Sequence, residues 1–269
     1  MPKAVPFGVG LVAGGLLIRE RRFRIRAERL GAATLETLLA TIDANDAVTG
    51  AHVRRVADYS LILAEAADLD ERTRHSIERV ALFHDIGKIH GAINDIFHEK
   101  SRLTPAERRA VMTHPQRGAE VLEPLRQFYP DLPEGVLAHH ERWDGKGYPR
   151  HLKGRRIPIT ARVVAIADTF DAITHSRPYS KPRRITEATK IILAGMGTQF
   201  DPELVDLFVS PPVMALIELS IAAKDRPARK HQRRSRKLVG SSVPDIKFRW
   251  RSEVGAQQRP GRSSRKRPP

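Results

Sequence analysis

Apolar residues recur at helical spacing along most of this chain. Leu35, Leu38, Leu39 and Ile42 follow this period, which continues to about residue 222. The alternation of Val, Ile and Thr that is typical of strands is scarce. An amphipathic helix has to bury its apolar stripe against other helices. The sequence therefore predicts an all-α domain over residues 31–222, a bundle of about seven to eight helices.

Three helix starts can be read from local chemistry. Thr104, Pro105 and Glu107 combine a capping residue, a proline in the first turn and an acidic residue at the third position. Pro158 precedes an apolar helix over residues 159–173, and Asp201 precedes one that ends near Phe208. A last apolar helix is predicted at residues 213–223, after a pair of prolines.

The formal net charge of +16 is concentrated at one end of the chain. Residues 224–269 hold 16 Lys and Arg against three acidic residues, a net +13, which leaves +3 for residues 1–223. Residues 223–269 are also rich in Ser, Pro and Gln, which predicts a disordered basic tail. Trp250 and Phe248 lie among basic residues, so contact of the tail with nucleic acid or anionic lipid stays open beside a purely solvated extension.

The N-terminal residues 1–30 form an apolar and Arg-rich leader. The apolar stretch 4–18 is shorter than the roughly 20 residues that span a bilayer, and five arginines follow it by residue 26. This order is compatible with a membrane anchor that leaves the rest of the chain on the cytoplasmic side, or with a frayed leader. We expect a cytoplasmic domain, with tethering to the inner face of the cell membrane left open.

The chain contains no cysteine. Disulfides and thiolate metal sites are thereby excluded, and a metal ion would have to be held by His, Asp or Glu.

Two adjacent pairs of residues carry the chemistry. His84-Asp85 ends an apolar helix, and Lys88 follows one turn later, where its ammonium group can stabilise charge developing on a phosphate. His139-His140 is the second pair, and burying two neighbouring imidazoles is costly unless a metal uses them. Asp168 lies inside an apolar helix, directly after the apolar run 163–167, so its carboxylate also needs a partner.

Together with His52 and His114 these residues provide five imidazoles and two carboxylates, a donor set that suits two borderline divalent ions. Two such ions can bridge a hydroxide, polarise a phosphoryl group and stabilise an in-line displacement. The predicted metal ligands are His52, His84, Asp85, His114, His139, His140 and Asp168. Asp171, one turn after Asp168, is either an orienting partner for a ligand histidine or a surface residue.

The order of these motifs resembles the HD-GYP family of bacterial cyclic di-GMP phosphodiesterases. The matching segments are HDIGK (84–88), HHERWDGKGYP (139–149), IPITARVVAIADTFDAITHSRPYS (157–180), FDPELV (200–205) and DAVTGAHVRRVADYS (46–60), within residues 35–209. The resemblance implies an HD-domain helical bundle that hydrolyses cyclic di-GMP to linear pGpG, to GMP or to both. It also implies two divalent ions, commonly iron or manganese. Hydrolysis of another cyclic dinucleotide or nucleotide, or a catalytically weak signalling or binding module, are the alternatives.

Carried over residue by residue, the family pattern implies the same seven ligands, with Asp85 and Lys88 in catalysis. It implies substrate contacts from Lys88, Gly145, Gly147, Tyr148 and Arg177. The segment 144–149 is a loop by composition and is here called the GYP loop. Its residues Gly147, Tyr148 and Pro149 would be the family's eponymous surface, where a diguanylate cyclase could bind. A homodimer is also left open.

One departure from the family bears on the metal count. Some members have a glutamate four residues before the first ligand histidine, where it recruits a third metal. This chain has Val48 at that position. We therefore expect two metal ions and not three.

Overall fold

The computed structural model describes residues 26–44, 46–89, 103–175 and 182–225. Its described residues from Leu38 onward form one compact unit, and residues 26–37 belong to a second unit. Residues 26–44 are helical. The predicted leader up to residue 25 and the predicted tail from residue 226 lie outside the described residues.

The described residues contain nine helices after residue 46. They are α1 (Ala47–Ala66), α2 (Glu71–Phe83), α3 (Pro105–Val111), α4 (His114–Leu122), α5 (Asp131–Ala138), α6 (Ile159–Thr174), α7 (Ile185–Ala194), α8 (Pro202–Phe208) and α9 (Pro211–Asp225). Short 3-10 turns occupy Ile86–Ile89, Glu123–Leu125 and Gly154–Arg156. The predicted all-α fold is confirmed. The count is slightly higher than expected because α3, α4 and α5 are short helices whose separate starts were not all visible in the sequence.

Side-chain caps begin several of these helices. The Asp46 carboxylate accepts hydrogen bonds from the backbone N–H groups of Val48 and Thr49 at the start of α1. Thr104 and Glu107 form the expected capping box at α3, and Asp201 caps α8. These bonds satisfy amide groups that a helix leaves without an internal partner. The caps therefore fix where α1 begins, and with it the position of His52 on its second turn.

The core is built where α1, α2 and α6 pack against one another. Phe170 of α6 is fully buried, and its ring contacts Tyr59 of α1 and Phe208 of α8 edge to face, with centroids 5.4 and 5.3 Å away. This aromatic contact holds together three helices. It lies within one turn of Asp168 and so fixes the part of α6 that carries the site.

Among the described residues, no single helix is long and apolar enough to cross a membrane. Only the pair Pro202–Phe208 and Pro211–Ala223, bent by 63°, meets the length and composition limits when taken together.

Replacing Phe170 by alanine should destabilise the compact unit by about 3–5 kcal/mol, because the truncation leaves a cavity between three packed helices. Chemical denaturation followed by circular dichroism, with chelator present, measures the change. The matched control is Leu219→Ala, which removes an apolar side chain that is 65% exposed. We expect the control to change stability by less than about 0.5 kcal/mol; equal effects would contradict this description of the core.

Candidate metal centre

Three of the candidate ligand histidines lie directly at helix ends, and this placement fixes their rings. His84 caps the C-terminus of α2, His139 caps the C-terminus of α5, and His114 follows α3 and begins α4. Each ring bonds through Nδ1 to the carbonyl oxygen three residues earlier, at Ala81 (2.8 Å), Val136 (2.6 Å) and Val111 (2.7 Å). Such carbonyl groups in a helix's last turn have no partner within the helix. The helix ends therefore both orient the rings and gain hydrogen bonds.

These bonds determine which nitrogen of each ring carries the proton. A carbonyl oxygen can only accept, so Nδ1 is the donor and Nε2 of the neutral ring presents a lone pair. Nε2 of His114 lies 3.2 Å from Nε2 of His139. Two lone pairs at that distance repel each other unless a proton or a cation lies between them. The geometry is therefore that of a cation site.

The low pKa values of these rings indicate that a proton does not lie between the two Nε2 atoms at neutral pH. Burial, then the neighbouring positive charge of Lys88, lowers the pKa of His114 to about 3. Burial and then the adjacent His140 hold the pKa of His139 well below its ordinary value. Burial is also the main reason why the pKa of His140 falls to about 4. All three rings are neutral at pH 7 and can act as metal ligands.

His52 is held from the other side of its ring by a carboxylate. Its Nδ1 lies 2.6 Å from Oδ2 of Asp171, and its Nε2 lies 3.4 Å from Oδ1 of Asp168. Burial lowers the pKa of His52, but the two carboxylates outweigh it and raise the pKa to about 9. Metal binding through Nε2 would therefore release a proton at neutral pH.

Asp85 lies between the two sets of histidines. Its Oδ2 accepts a hydrogen bond from Lys88 Nζ at 2.7 Å, and its Oδ1 lies 3.4 Å from His114 Nε2. Burial raises the pKa of this carboxyl, but Lys88 and His84 outweigh burial and hold it well below its usual range. For Asp168 the same burial is offset by His52 and His84, and that pKa is also lowered. Both carboxylates are ionised at neutral pH.

Two groups of residues in the described chain could each hold a metal ion. The three-histidine group is His114, His139 and His140, and the mixed group is His52, His84 and Asp85; within each group the ligand atoms lie within 4.8 Å of one another. His84 Nε2 and Asp85 Oδ1 are buried and make no hydrogen bond. A buried polar atom without a partner is costly, and metal ligation would satisfy it. The donor set thus fits two ions.

The GYP loop is fixed next to the three-histidine group. Glu141 is buried, and its two carboxylate oxygens accept from the backbone N–H groups of Arg150 (2.7 Å) and Leu152 (3.0 Å). A Cβ atom at Gly147 would lie 2.3 Å from the backbone nitrogen of Arg142, so only glycine fits there. The Tyr148 ring stacks on His140 with centroids 4.9 Å apart. The loop therefore brings one aromatic side chain to the edge of the site.

All seven predicted ligands and Lys88 lie around one centre, and Tyr148 borders it. Gly145 lies in the outer turn of the GYP loop with φ of 81°, close to Lys153. Arg177 lies outside the described residues. The sequence left the role of Asp171 open, and the structure places it behind His52 as an orienting partner.

Arg55 and His175 were not predicted to take part. Arg55 donates to both carboxylate oxygens of Asp171 at 2.6 and 2.9 Å, and His175 Nδ1 lies 3.0 Å from Asp171 Oδ1. Arg55 follows His52 by three residues, so helical spacing on α1 could have placed it on the same face. His175 follows Asp171 by four residues, a helical spacing that also allows contact, although His175 itself lies at the C-cap of α6.

Comparison with known proteins bears on this centre. A family model described as "HD domain" matches residues 36–204, which include all seven candidate ligands. The chain belongs to the HD domain family. The resemblance to HD-GYP proteins is confirmed by relatives that are named cyclic di-GMP phosphodiesterases and that match 179 and 175 residues of aligned sequence.

Two relatives of this chain are named for different cyclic dinucleotide substrates. A cyclic di-GMP phosphodiesterase of Thermotoga maritima is 39% identical over 179 residues, 65% of this chain and 48% of the relative. A 3'3'-cGAMP-specific phosphodiesterase 2 of Vibrio cholerae is 37% identical over 174 residues, 64% of this chain and 33% of the relative. The matched part thus spans between a third and a half of the length of these relatives.

Solved structures agree on the fold. A cyclic GMP-AMP specific phosphodiesterase of V. cholerae superposes with a TM-score of 0.51 at 23% identity, covering 72% of this chain and 53% of that one. An HDG"Y"P protein of Bdellovibrio bacteriovorus gives a TM-score of 0.52 at 17% identity, covering 72% and 62%. At this identity the likeness supports the helical HD fold.

Metal content should separate the two ligand groups. We expect about two divalent ions per wild-type chain and about one in either His84→Ala or His114→Ala, because each removes a ligand from a different group. Elemental analysis after reconstitution measures this. The control His151→Asn changes an exposed histidine at φ of 54°, a conformation that asparagine tolerates, and should retain the wild-type content. Loss of both ions from each variant would contradict two separable groups.

Asp171→Asn should weaken metal binding by about 10–100-fold while leaving the fold intact. The amide keeps the shape of the side chain but no longer supplies the charge that orients and polarises His52. Titration with Mn²⁺ under anaerobic conditions measures the affinity. An unchanged affinity would show that the contact between Asp171 and His52 does not support metal ligation.

Proposed function

We propose that this chain is a metal-dependent phosphodiesterase of cyclic dinucleotides, with cyclic di-GMP as the substrate and linear pGpG, GMP or both as products. The observation that carries the proposal is the convergence of unprotonated Nε2 atoms and ionised carboxylates on one centre, beside the half-buried ammonium group of Lys88. Such a centre suits cleavage of a phosphate ester, since the reaction gathers negative charge on phosphoryl oxygens. The match to the HD domain family supports the same class of reaction.

His52, His84, Asp85, His114, His139, His140 and Asp168 would hold two divalent ions. When bound, the ions would supply Lewis acidity, which activates water and polarises the phosphoryl group. Imidazole and carboxylate donors without thiolate suit iron or manganese. Val48, 59% exposed at the start of α1, offers no ligand for a further ion.

Lys88 would bind the phosphate that reacts. Its ammonium lies on the Asp85 carboxylate at 2.7 Å, and the side chain remains 22% exposed, so it is accessible from the side of the site. The 3-10 turn Ile86–Ile89 directs it back over Asp85. A substrate phosphate that approaches the ions would find this cation already positioned beside Asp85.

Tyr148 would contact the substrate from the GYP loop. Burial, and then Asp85 and Asp168, raise the pKa of its hydroxyl group, so the hydroxyl stays protonated over the physiological range. A neutral O–H can donate to a phosphate or sugar oxygen. Three further expectations stay predictions. They are substrate contacts from Gly145, Gly147 and Arg177, contact of the GYP loop with a diguanylate cyclase, and a homodimer.

A second substrate is supported by the relatives. The V. cholerae protein named for 3'3'-cGAMP is nearly as similar to this chain as the T. maritima protein named for cyclic di-GMP. The two substrates share the cyclic phosphodiester ring and differ in one base. The metal centre acts on the shared part, so discrimination would have to come from residues that contact the bases.

The deciding experiment incubates the metal-reconstituted full chain with cyclic di-GMP, 3'3'-cGAMP or cyclic di-AMP. The products are separated by chromatography, and the rate of hydrolysis of each substrate is measured. We expect the highest kcat/KM for cyclic di-GMP. A preference for 3'3'-cGAMP would correct the substrate and keep the reaction. A chain that holds its metals, binds a cyclic dinucleotide and leaves all three uncleaved would be a binding module.

Lys88→Met should lower kcat by about 10²–10³-fold, because charge stabilisation in the transition state is lost while the metal ligands remain. Metal content measured on the same sample should equal that of the wild type. Lys153→Met, at an exposed lysine beside the GYP loop, is the matched control and should keep its activity. Equal rates for the two variants would remove Lys88 from the mechanism.

A further inference from the structure

The last helix of the compact unit, α9, is apolar around nearly its whole circumference. Val213 and Ile217 are buried and anchor one side of the helix on the core. Within residues 211–223 the only charged residue is Glu218. A helix that is apolar all round normally has all of its faces buried. Here one side is buried and the other is not.

The exposed side of α9 is a continuous apolar surface. Its members are all exposed, and they are Pro212, Ala215, Leu216, Leu219, Ala222 and Ala223. At 100° per residue they lie within about 120° of the helix circumference, opposite Val213 and Ile217. Leu219 is 65% and Leu216 is 52% exposed. We call these six residues the outer face of α9.

A strongly basic sequence follows this helix directly. Residues 224–234 contain six basic residues, Lys224, Arg226, Arg229, Lys230, Arg233 and Arg234, against the single acid Asp225. An apolar helix face joined to a run of Lys and Arg is the combination that binds an anionic bilayer surface. The apolar residues enter the headgroup boundary, and the cations attract acidic lipids.

We propose that the outer face of α9 and the basic residues 224–234 dock the domain on an anionic membrane surface. The partner is a lipid bilayer that carries acidic headgroups. Nucleic acid would use the cations but would leave the apolar face in water. A second copy of the chain could cover the apolar face, but it would bring another six cations into the interface region. Acidic lipid is the partner for which both features are favourable.

Vesicle binding tests the two features separately. The full chain should sediment with vesicles of 70% phosphatidylcholine and 30% phosphatidylserine, and much less with phosphatidylcholine alone. Leu216→Ser with Leu219→Ser should weaken binding by more than about tenfold, because two half-exposed leucines no longer enter the bilayer. Arg229→Ala, Lys230→Ala and Arg233→Ala together should weaken it by on the order of 100-fold, and added salt should do the same to the wild type.

The control is a pair of equally apolar exposed residues on other helices. Val121→Ser with Leu193→Ser removes side chains that are 51% and 42% exposed and should leave vesicle binding unchanged. Every variant should retain the wild-type metal content, which reports an intact fold independently of lipid. The wild-type leader, residues 1–30, stays present in all of them, so any binding by it is common to every comparison.

Site-specific labelling gives a direct readout. Because the chain has no cysteine, Leu219→Cys carries a single environment-sensitive fluorophore, and Val121→Cys provides the matched position away from α9. A blue shift with anionic vesicles at position 219 and none at 121 is expected. Three outcomes would each overturn the proposal. The first is an equal shift at both positions, and the second is vesicle binding that persists in the double serine variant. The third is a wild-type dimer that becomes monomeric in this variant, with no vesicle binding by either protein. Binding to RNA with the same dependence on Leu216 and Leu219 would also overturn it.

Discussion

The centre depends on a hydrogen bond that is repeated three times, from a histidine Nδ1 to the last-turn carbonyl of a helix. At His84, His114 and His139 the bond fixes the ring and makes Nδ1 the protonated nitrogen. The unprotonated Nε2 atoms then face inward. Each helix end would otherwise leave that carbonyl without a partner, so the same bond serves the fold and the site. Without it the rings could rotate or change tautomer, and the ligand geometry would be lost.

Without a bound cation, the centre would carry unfavourable electrostatics as a consequence. Two lone pairs face each other at 3.2 Å between His114 and His139, while Asp85 and Asp168 are ionised and close to the same rings. Divalent cations would offset both effects at once. Binding of the ions should therefore couple to stability of the compact unit, because ions that bind the folded chain shift the folding equilibrium. Lys88, Arg55 and, until a metal displaces its proton, His52 supply the positive charge that the protein itself contributes.

The site and the outer face of α9 use the same helical framework differently. In the site, helix ends and buried faces bring polar atoms together away from water. On α9, an exposed side is apolar and ends in a basic sequence. The first arrangement suits a small charged substrate, and the second suits an extended charged surface. If both proposals hold, the domain would hydrolyse its substrate at the membrane surface.

Much of the site could be predicted from the sequence, because doublets such as His84-Asp85 and His139-His140 are rare in a helical pattern without a chemical reason. The carboxylate of Asp168 was equally visible, since a charge that follows the apolar run 163–167 within an apolar helix needs a partner. The helix starts at Thr104 and Asp201 followed from capping chemistry alone. The contact of Arg55 with Asp171 and the role of Asp171 could not be predicted from the sequence. Spacing on one helix does not reveal which residue of another helix lies opposite.

The sequence by itself therefore determined the helical class, the absence of thiolate ligands and the residue types able to bind metal, since these follow from local pattern and composition. Only the tertiary structure decided that the candidate ligands form two groups sharing one centre and that Asp171 orients His52. It alone showed that one side of α9 stays exposed. Each of these depends on how helices distant in sequence pack, and packing is set by the whole core rather than by any local segment.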